Sequence, residues 1–245
     1  MSQNELCTYL PWDSDFFGVR IARVAVDCLT AGDARAVDDW CSANAIDCLY
    51  YLSPSDDAVA LRVAQAHGFR LMDIRVTYER PLPGNPLLGG VPVRTVRPED
   101  VATLRRIGRY NHTDTRFYAD ERFPRERCDD LYDTWVKRSC EGYADIVLVA
   151  DVDEMPVGYL TCDFDAAARR GTMVLMSLDT AARGRRLGQA FTNRALEWFI
   201  EQGATTGRVV TSGSNIVAQR LYQKNGFLVT AVQLWFHKWY TAAAK

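Results

Sequence analysis

The chain predicts an α/β fold with a mixed sheet, and three observations carry that reading. Short apolar runs of strand length alternate with helix-spaced segments along most of its length. Between Thr172 and Phe227 a buried-strand run, Met173 to Leu178, leads through a polar, glycine-punctuated loop into an amphipathic helix whose face is Leu187, Phe191, Ala195, Trp198 and Phe199. A helix ending in Gly-Phe and followed by a strand occurs twice, at Ala60 to Tyr78 and again at Ala218 to Trp235.

Taken in order, Leu10 to Val19 gathers Trp12, Phe16 and Phe17 near the start, which predicts a segment tied into the core. Ile21 to Val26 reads as a strand, Ala34 to Ala43 as a helix, Cys48 to Leu52 as a strand, and Asp57 to Ala66 as a helix capped by Ser55 or Asp56. Met72 to Tyr78 is the strand that closes the first repeat. Because the first copy has Ala64 where the second has Tyr222, and no Gly/Arg loop before it, residues 1–80 read as a truncated, non-catalytic half of the same fold. The proline- and glycine-rich residues 81–92 read as a linker and 93–245 as the second domain.

Val93 to Val96 begins a strand, and Arg97-Pro98-Glu99-Asp100 opens a helix with proline and acids in its first turn. Tyr110 to Pro124 keeps charges and aromatics together without periodicity, as functional loops do. Asp129 to Ser139 has helical spacing, and Ile146 to Ala150 with Val157 to Cys162 makes a hairpin. Arg208 to Thr211 is a strand. Asn215 caps a helix through Val217, Ala218, Leu221 and Tyr222 that stops at Gly226.

Composition narrows the function classes. Of 245 residues 48% are hydrophobic and 24% charged, the balance of a globular enzyme, and the net charge of −2 argues against bulk binding of nucleic acid. Seven cysteines without a C-x-x-C pair and only three histidines fit neither a disulfide framework nor a zinc site, so no metal is expected and the thiols read as reduced and cytoplasmic. No run is long and apolar enough to span a membrane.

The loop Asp179 to Gly188 has the ingredients of an anion site. A helix start leaves backbone N–H groups without intrahelical partners, its dipole adds positive charge, and glycine lets a phosphate approach. Arg183-Gly184-Arg185-Arg186-Leu187-Gly188, followed by Asn215-x-x-Ala218-x-x-Leu221-Tyr222-x-Lys224-x-Gly226-Phe227, resembles the acetyl-CoA site of the GNAT N-acetyltransferases. Arg186 stands where that family's motif usually has its middle glycine; a backbone donor survives this provided the loop needs no positive φ there.

The resemblance implies a GNAT fold, with residues 1–80 as a partial GNAT-like copy and 93–245 as the catalytic domain. It implies acetyl-CoA as co-substrate, held by Leu178, Asp179, Thr180, Arg183, Gly184, Arg185, Arg186, Leu187, Gly188 and Asn215. Tyr222 would be the general acid for the departing thiolate, because a phenol keeps its O–H through the neutral range. Trp12 with Phe16-Phe17-Gly18, Thr115-Arg116-Phe117 and the helix of Trp135 extend the resemblance to sugar-nucleotide N-acetyltransferases of the dTDP-fucosamine type. These imply a dTDP-linked amino-dideoxy sugar as the acceptor, met by His112, Asp114, Arg116, Phe117, Tyr118 and Phe123, in a protein without nucleic-acid or membrane partners that could form a homodimer.

Two other readings stay open on the residues alone, a GNAT enzyme for another small amine or a protein N-terminus, and an acetyl-CoA-binding module without catalysis. The general base is also open. His112, Asp114, Glu121 and Asp163 are chemically able, but none has a diagnostic spacing, and a base acting through water or loss of the proton to solvent is equally compatible.

Overall fold

The computed structural model describes residues 6–82 and 93–240. Its elements in chain order are β1 (Cys7–Tyr9), α1 (Pro11–Phe17), β2 (Ile21–Val24), α2 (Ala31–Ala43), β3 (Cys48–Pro54), α3 (Ala58–Ala66), β4 (Arg70–Pro81), β5 (Val93–Thr95), α4 (Val101–Asn111), α5 (Arg116–Ala119), α6 (Arg125–Arg138), β6 (Ile146–Val152), β7 (Met155–Asp165), β8 (Arg170–Leu178), α7 (Leu187–Glu201), β9 (Thr206–Ser212), α8 (Ile216–Lys224) and β10 (Leu228–Trp239). From residue 83 onward the expected linker lies outside the described residues. Among the described residues no helix is long and apolar enough to cross a membrane.

The strands form one mixed sheet in the order β1-β2-β3-β10-β4-β9-β8-β7-β6-β5. Pairs β2·β3 and β8·β9 are parallel and the others antiparallel. The two longest strands, β4 and β10, lie side by side in the middle of the sheet. β10, the last described strand, pairs with β3, and β4 enters between β9 and β10.

The pairing on the two sides of these strands matches to the residue. Gly68 and Gly226 both hold left-handed backbone, with φ of 79° and 75°, and each is followed by a buried phenylalanine, Phe69 or Phe227. Shifting by the 158 positions that separate those glycines turns the β4·β9 register, Arg75↔Ser212 through Pro81↔Thr206, into the β10·β3 register, Gln233↔Pro54 through Trp239↔Cys48. Helices α3 and α8 are each 9 residues long and each is capped by a side chain that accepts from first-turn N–H groups, Asp57 and Asn215 respectively.

Helix α7 covers one face of the sheet with Leu187, Phe191, Ala195, Leu196 and Phe199 buried, as its spacing predicts. Phe199 fits because β8 has glycine beneath it: a Cβ on Gly171 would lie 2.1 Å from the Phe199 ring. On the opposite face α4 and α6 cover β6 and β7, while α1, α5 and α6 pack an aromatic cluster around Phe17, Tyr50, Phe117 and Phe123. The Leu10 to Val19 segment reaches that cluster as a helix, started by Pro11 and stopped by Gly18 at φ 71°.

Because β4 is an interior strand of the sheet, a chain beginning at Val93 should leave the facing edges of β9 and β10 without partners and aggregate. Expression of residues 93–245, followed by size-exclusion chromatography, tests this, and a soluble monomeric fragment would show that β9 and β10 can close the sheet without β4.

Candidate active site

The site begins where two parallel strands part. β8 and β9 pair from Arg170↔Thr206 to Met173↔Val209 and no further, although β8 runs on to Leu178 and β9 to Ser212. The parting has a local cause. Opposite β7 the register jumps from Cys162↔Met173 to Thr161↔Leu175, leaving Val174 as an extra, exposed residue, and the Leu175 N–H donates to the Thr161 side-chain Oγ1 at 3.1 Å. A bulge of this kind bends its strand, so β8 turns away from β9 and leaves backbone groups facing a wedge-shaped opening. The parting begins at Met173, five residues before Leu178, the first of the residues expected to hold acetyl-CoA.

At the outer end of β8, Asp179 caps a 3-10 turn at Thr180–Ala182 by accepting from the Ala181 N–H, and it lies 3.5 Å from Arg106. Arg183 donates to the Asn111 Oδ1 at 3.0 Å. Gly184 has φ 80° and nothing within 4 Å of a Cβ position. Arg186 stands at the start of α7 with φ 60°, so the loop does require left-handed backbone where glycine is usual; an L-residue there carries a cost of roughly 1–2 kcal/mol. Arg185 and Arg186 are exposed, and no side chain caps α7. Gly188 lets α8 come close, since a Cβ there would be 3.1 Å from a Leu221 methyl.

Tyr222 lies over the apex of the opening. Its ring packs 6.1 Å from that of Tyr78, and Tyr78 pairs with Val209, the last β9 residue bonded to β8. It is 5% exposed, and burial, with the Cys162 thiol nearby, pushes its phenol above the ordinary value, so the O–H is retained at any working pH. Asn215 spends its Oδ1 on the Ala218 N–H, which sets the start of α8 and hence the height of Tyr222.

A pocket of about 440 Å³ opens between β4 and the segment before α5, lined by Leu71, Asp73, Ile74, Asp114, Tyr118 and Ser214 among others. Asp114 and Tyr118, expected from the sequence at the acceptor, line this pocket together with Asp73, which the sequence did not single out. No local motif marks Asp73; only the position of β4 brings it here.

Other expected acceptor residues lie elsewhere. Phe117 and Phe123, each 4% exposed, are core residues of the aromatic cluster and correct the expectation of substrate contact. Arg116 is held inside it, with its guanidinium 4.0 Å from the Tyr50 ring centroid, 4.1 Å from Phe117 and 4.4 Å from Trp235. It lies 2.8 Å from the His237 Nε2. Guanidinium only donates, so Nε2 accepts, and Nδ1 carries the proton donated to Asp120 at 2.7 Å; the Trp239 indole donates to the same carboxylate at 2.8 Å. The aromatics that suggested a ligand loop bury this charge chain, which ties residues 116–123 to β10. His112 likewise stacks on Tyr132 at 4.6 Å with its Nε2 2.8 Å from the Tyr159 hydroxyl, and burial lowers it to about 4. Glu121 is exposed in a turn, and Asp163 pairs opposite Thr172, on the closed side of the apex.

A bulged strand parting from its parallel neighbour, a glycine/arginine loop feeding an uncapped helix, and a buried tyrosine at the apex define an acetyltransferase domain. Residues 109–227 match the acetyltransferase (GNAT) family. It is 27% identical over 154 residues to the spore coat polysaccharide biosynthesis protein SpsD of Bacillus subtilis, a match that takes in 60% of this chain and 50% of that protein. It is 25% identical over 237 residues to the dTDP-fucosamine acetyltransferase of Escherichia coli O6:H1, covering 94% of this chain and 96% of that one. The fold is similar to that of a GCN5-related N-acetyltransferase from Sphaerobacter thermophilus, with a TM-score of 0.64 at 15% identity over 98% of this chain and 78% of that one.

The Arg116–His237–Asp120 chain predicts a pH dependence of folding. Burial and the Arg116 charge outweigh Asp120 and lower His237 from 6.5 to about 4. The unfolded chain therefore binds a proton near pH 6.5 that the folded chain refuses until about pH 4, so stability is full above pH 6.5 and declines between the two values, by roughly 3 kcal/mol for this group. Urea unfolding at neutral and acid pH checks this. His237→Gln should show a shallower decline, and an equal slope in both proteins would remove His237 as its source.

Proposed function

We propose that this chain is an acetyl-CoA-dependent N-acetyltransferase acting on the amine of a nucleotide-linked amino-dideoxy sugar, with dTDP as the nucleotide and Tyr222 as general acid. The observation that carries the reading is the opening between β8 and β9, with Tyr222 at its apex and the loop Arg183 to Gly188 at its outer end. The near full-length similarity to a dTDP-fucosamine acetyltransferase supports the acceptor class.

The residues present fit a CoA diphosphate. The N–H groups of Leu187, Gly188 and Gln189 open a 15-residue helix without a side-chain cap, Gly184 leaves its backbone open, and Arg185 and Arg186 are exposed beside them. The acetyl donor supplies a thioester already activated for transfer. The backbone of β8 beyond Met173 has lost its β9 partners and is free to orient a carbonyl. Tyr222 supplies a proton to the leaving sulfur from a site dry enough to keep that proton in place.

We also take residues 1–80 as a partial copy of the domain formed by 93–245, joined by 81–92. The identical registers of β4·β9 and β10·β3 and the matched Gly-Phe turns support this.

Acetyl-CoA should bind with a calorimetric signal that Tyr222→Phe leaves nearly unchanged, whereas kcat for acetyl transfer should fall on the order of 10²-fold or more in that variant. Measuring kcat and Tm on one preparation separates the outcomes. Normal stability with slow turnover is expected, and wild-type kcat in the Phe variant would remove Tyr222 from the mechanism.

A further inference from the structure

We propose that Asp73 is the carboxylate that receives the acceptor amine as its ammonium ion and takes the proton that frees the nitrogen lone pair. The proposal rests on the acetyl-transfer reading and supplies the acceptor-side group which that reading lacks.

Asp73 is built into place. Its Oδ1 accepts from the Ser212 hydroxyl at 2.6 Å and from the Ile74 N–H at 2.8 Å, and Ser212 lies 2.8 Å from the Ser214 hydroxyl. Its Oδ2 meets no donor among the described residues, and Asp73 lines the pocket. Ser212 ends the stretch of β9 that β8 has abandoned, so its hydrogen bond to Asp73 links the acetyl-transfer opening to the pocket that Asp73 lines. A carboxylate on an interior strand, with one oxygen fixed and the other unspent, is preorganised for a single further donor.

The lining selects the charge of that donor. Asp73 and Asp114 both face the pocket, and no Lys, Arg or His lines it among the described residues. Two carboxylates favour a cation and repel a phosphate, so the amine end of the acceptor enters here. Leu71 and Ile74, 52% and 40% exposed, add apolar wall suited to a deoxygenated carbon. Asp114 is a weaker candidate for the proton because it is exposed on the loop, and His112 is committed to Tyr159 and Tyr132.

Nitrogen loses two protons between ammonium and amide. Asp73 takes the first and passes it to water. The second is lost to water as the C–N bond forms and the C–S bond breaks; Tyr222 gives its proton to the departing sulfur and regains one from water, so the net release is one proton per turnover. The charged groups around Asp73 are Asp114 and Arg116 from the segment above it and Arg75 along its own strand, with the Tyr118 hydroxyl across the pocket and Trp235 paired opposite on β10. Burial raises Asp73 above the ordinary carboxylate value, Asp114 adds to this, and Ser212 and Arg116 oppose it. The acid limb of the rate profile should follow its ionisation.

The test compares wild type, Asp73→Asn and Asp73→Glu for kcat/KM with dTDP-4-amino-4,6-dideoxygalactose across pH, together with Tm and acetyl-CoA affinity by calorimetry. Asn keeps the acceptor for Ser212 and Ile74. It should therefore keep Tm and acetyl-CoA affinity while losing on the order of 10²-fold in kcat/KM and flattening the acid limb; Glu should recover part of the rate. The 4-hydroxy analogue should compete more weakly than the amine. Wild-type kcat/KM with an unchanged acid limb in the Asn variant would overturn the role of Asp73 alone, as would loss of rate accompanied by loss of Tm and acetyl-CoA affinity. A wild-type protein that binds acetyl-CoA and acetylates no amine offered would instead sink the acetyl-transfer reading, and this role with it.

Discussion

The ladder between β4 and its two neighbours is the constraint on which the rest of the molecule depends. β4 hydrogen-bonds to β9 on one side and to β10 on the other, so the strand that ends the N-terminal region is the floor of the C-terminal site. A register slip of one residue would turn Asp73 to the opposite face of the sheet and bring Ile74 in its place. The Arg116–His237–Asp120 chain guards the same arrangement from the other side, because it ties the segment above the pocket to β10, the strand that pairs with β4. Pocket wall, pocket floor and Tyr222 are thus fixed relative to one another through the paired strands β4 and β10.

Corresponding positions show why only one end of the sheet opens. Val209, at the apex, corresponds under the 158-residue shift to Tyr51. The Tyr51 hydroxyl accepts from the Leu29 N–H at 3.2 Å and donates to the Asp27 carbonyl at 2.6 Å, pinning the chain after β2 against β3. Tyr222 corresponds to Ala64, which is fully buried in a core that also holds Tyr51, Phe69 and Trp40. A tyrosine at position 64 would have to displace that packing. The same framework is therefore closed by large side chains at one end and left parted by the Val174 bulge at the other.

Much of this was legible in the sequence because it is written in local chemistry. The alternation of strands and helices, the Asn215 cap, the Gly68 and Gly226 stops and the apolar face of α7 each follow from propensity or periodicity over a few residues. The pairing of β10 with β3 and of β4 with β9 was not, since nothing in either strand marks which distant strand it will meet. Asp73 was invisible for the same reason: it reads as a polar residue on an ordinary amphipathic strand of the half taken as non-catalytic. Arg116, Phe117 and Phe123 misled in the opposite direction. A cation among aromatics looks like a binding surface, and here that surface is folded inward onto His237.

Arg186 shows what a departure from a family pattern means physically. The loop keeps its left-handed turn even without the usual glycine, so the geometry is imposed by what surrounds it: Leu187, 3% exposed, locks the first turn of α7 into the core on one side, and the Asp179-capped turn fixes the chain on the other. Strain of roughly 1–2 kcal/mol is a sizeable share of the about 5–15 kcal/mol that holds a domain together, so the surrounding packing must impose it; in return it aims the first N–H groups of α7 outward and leaves a guanidinium beside them. Glycine would relieve the strain and remove the charge. On the proposed reading the exchange is coherent: the diphosphate is met by one more cation at a helix start that has no side-chain cap of its own, so the residue that breaks the pattern strengthens the interaction the pattern exists to make.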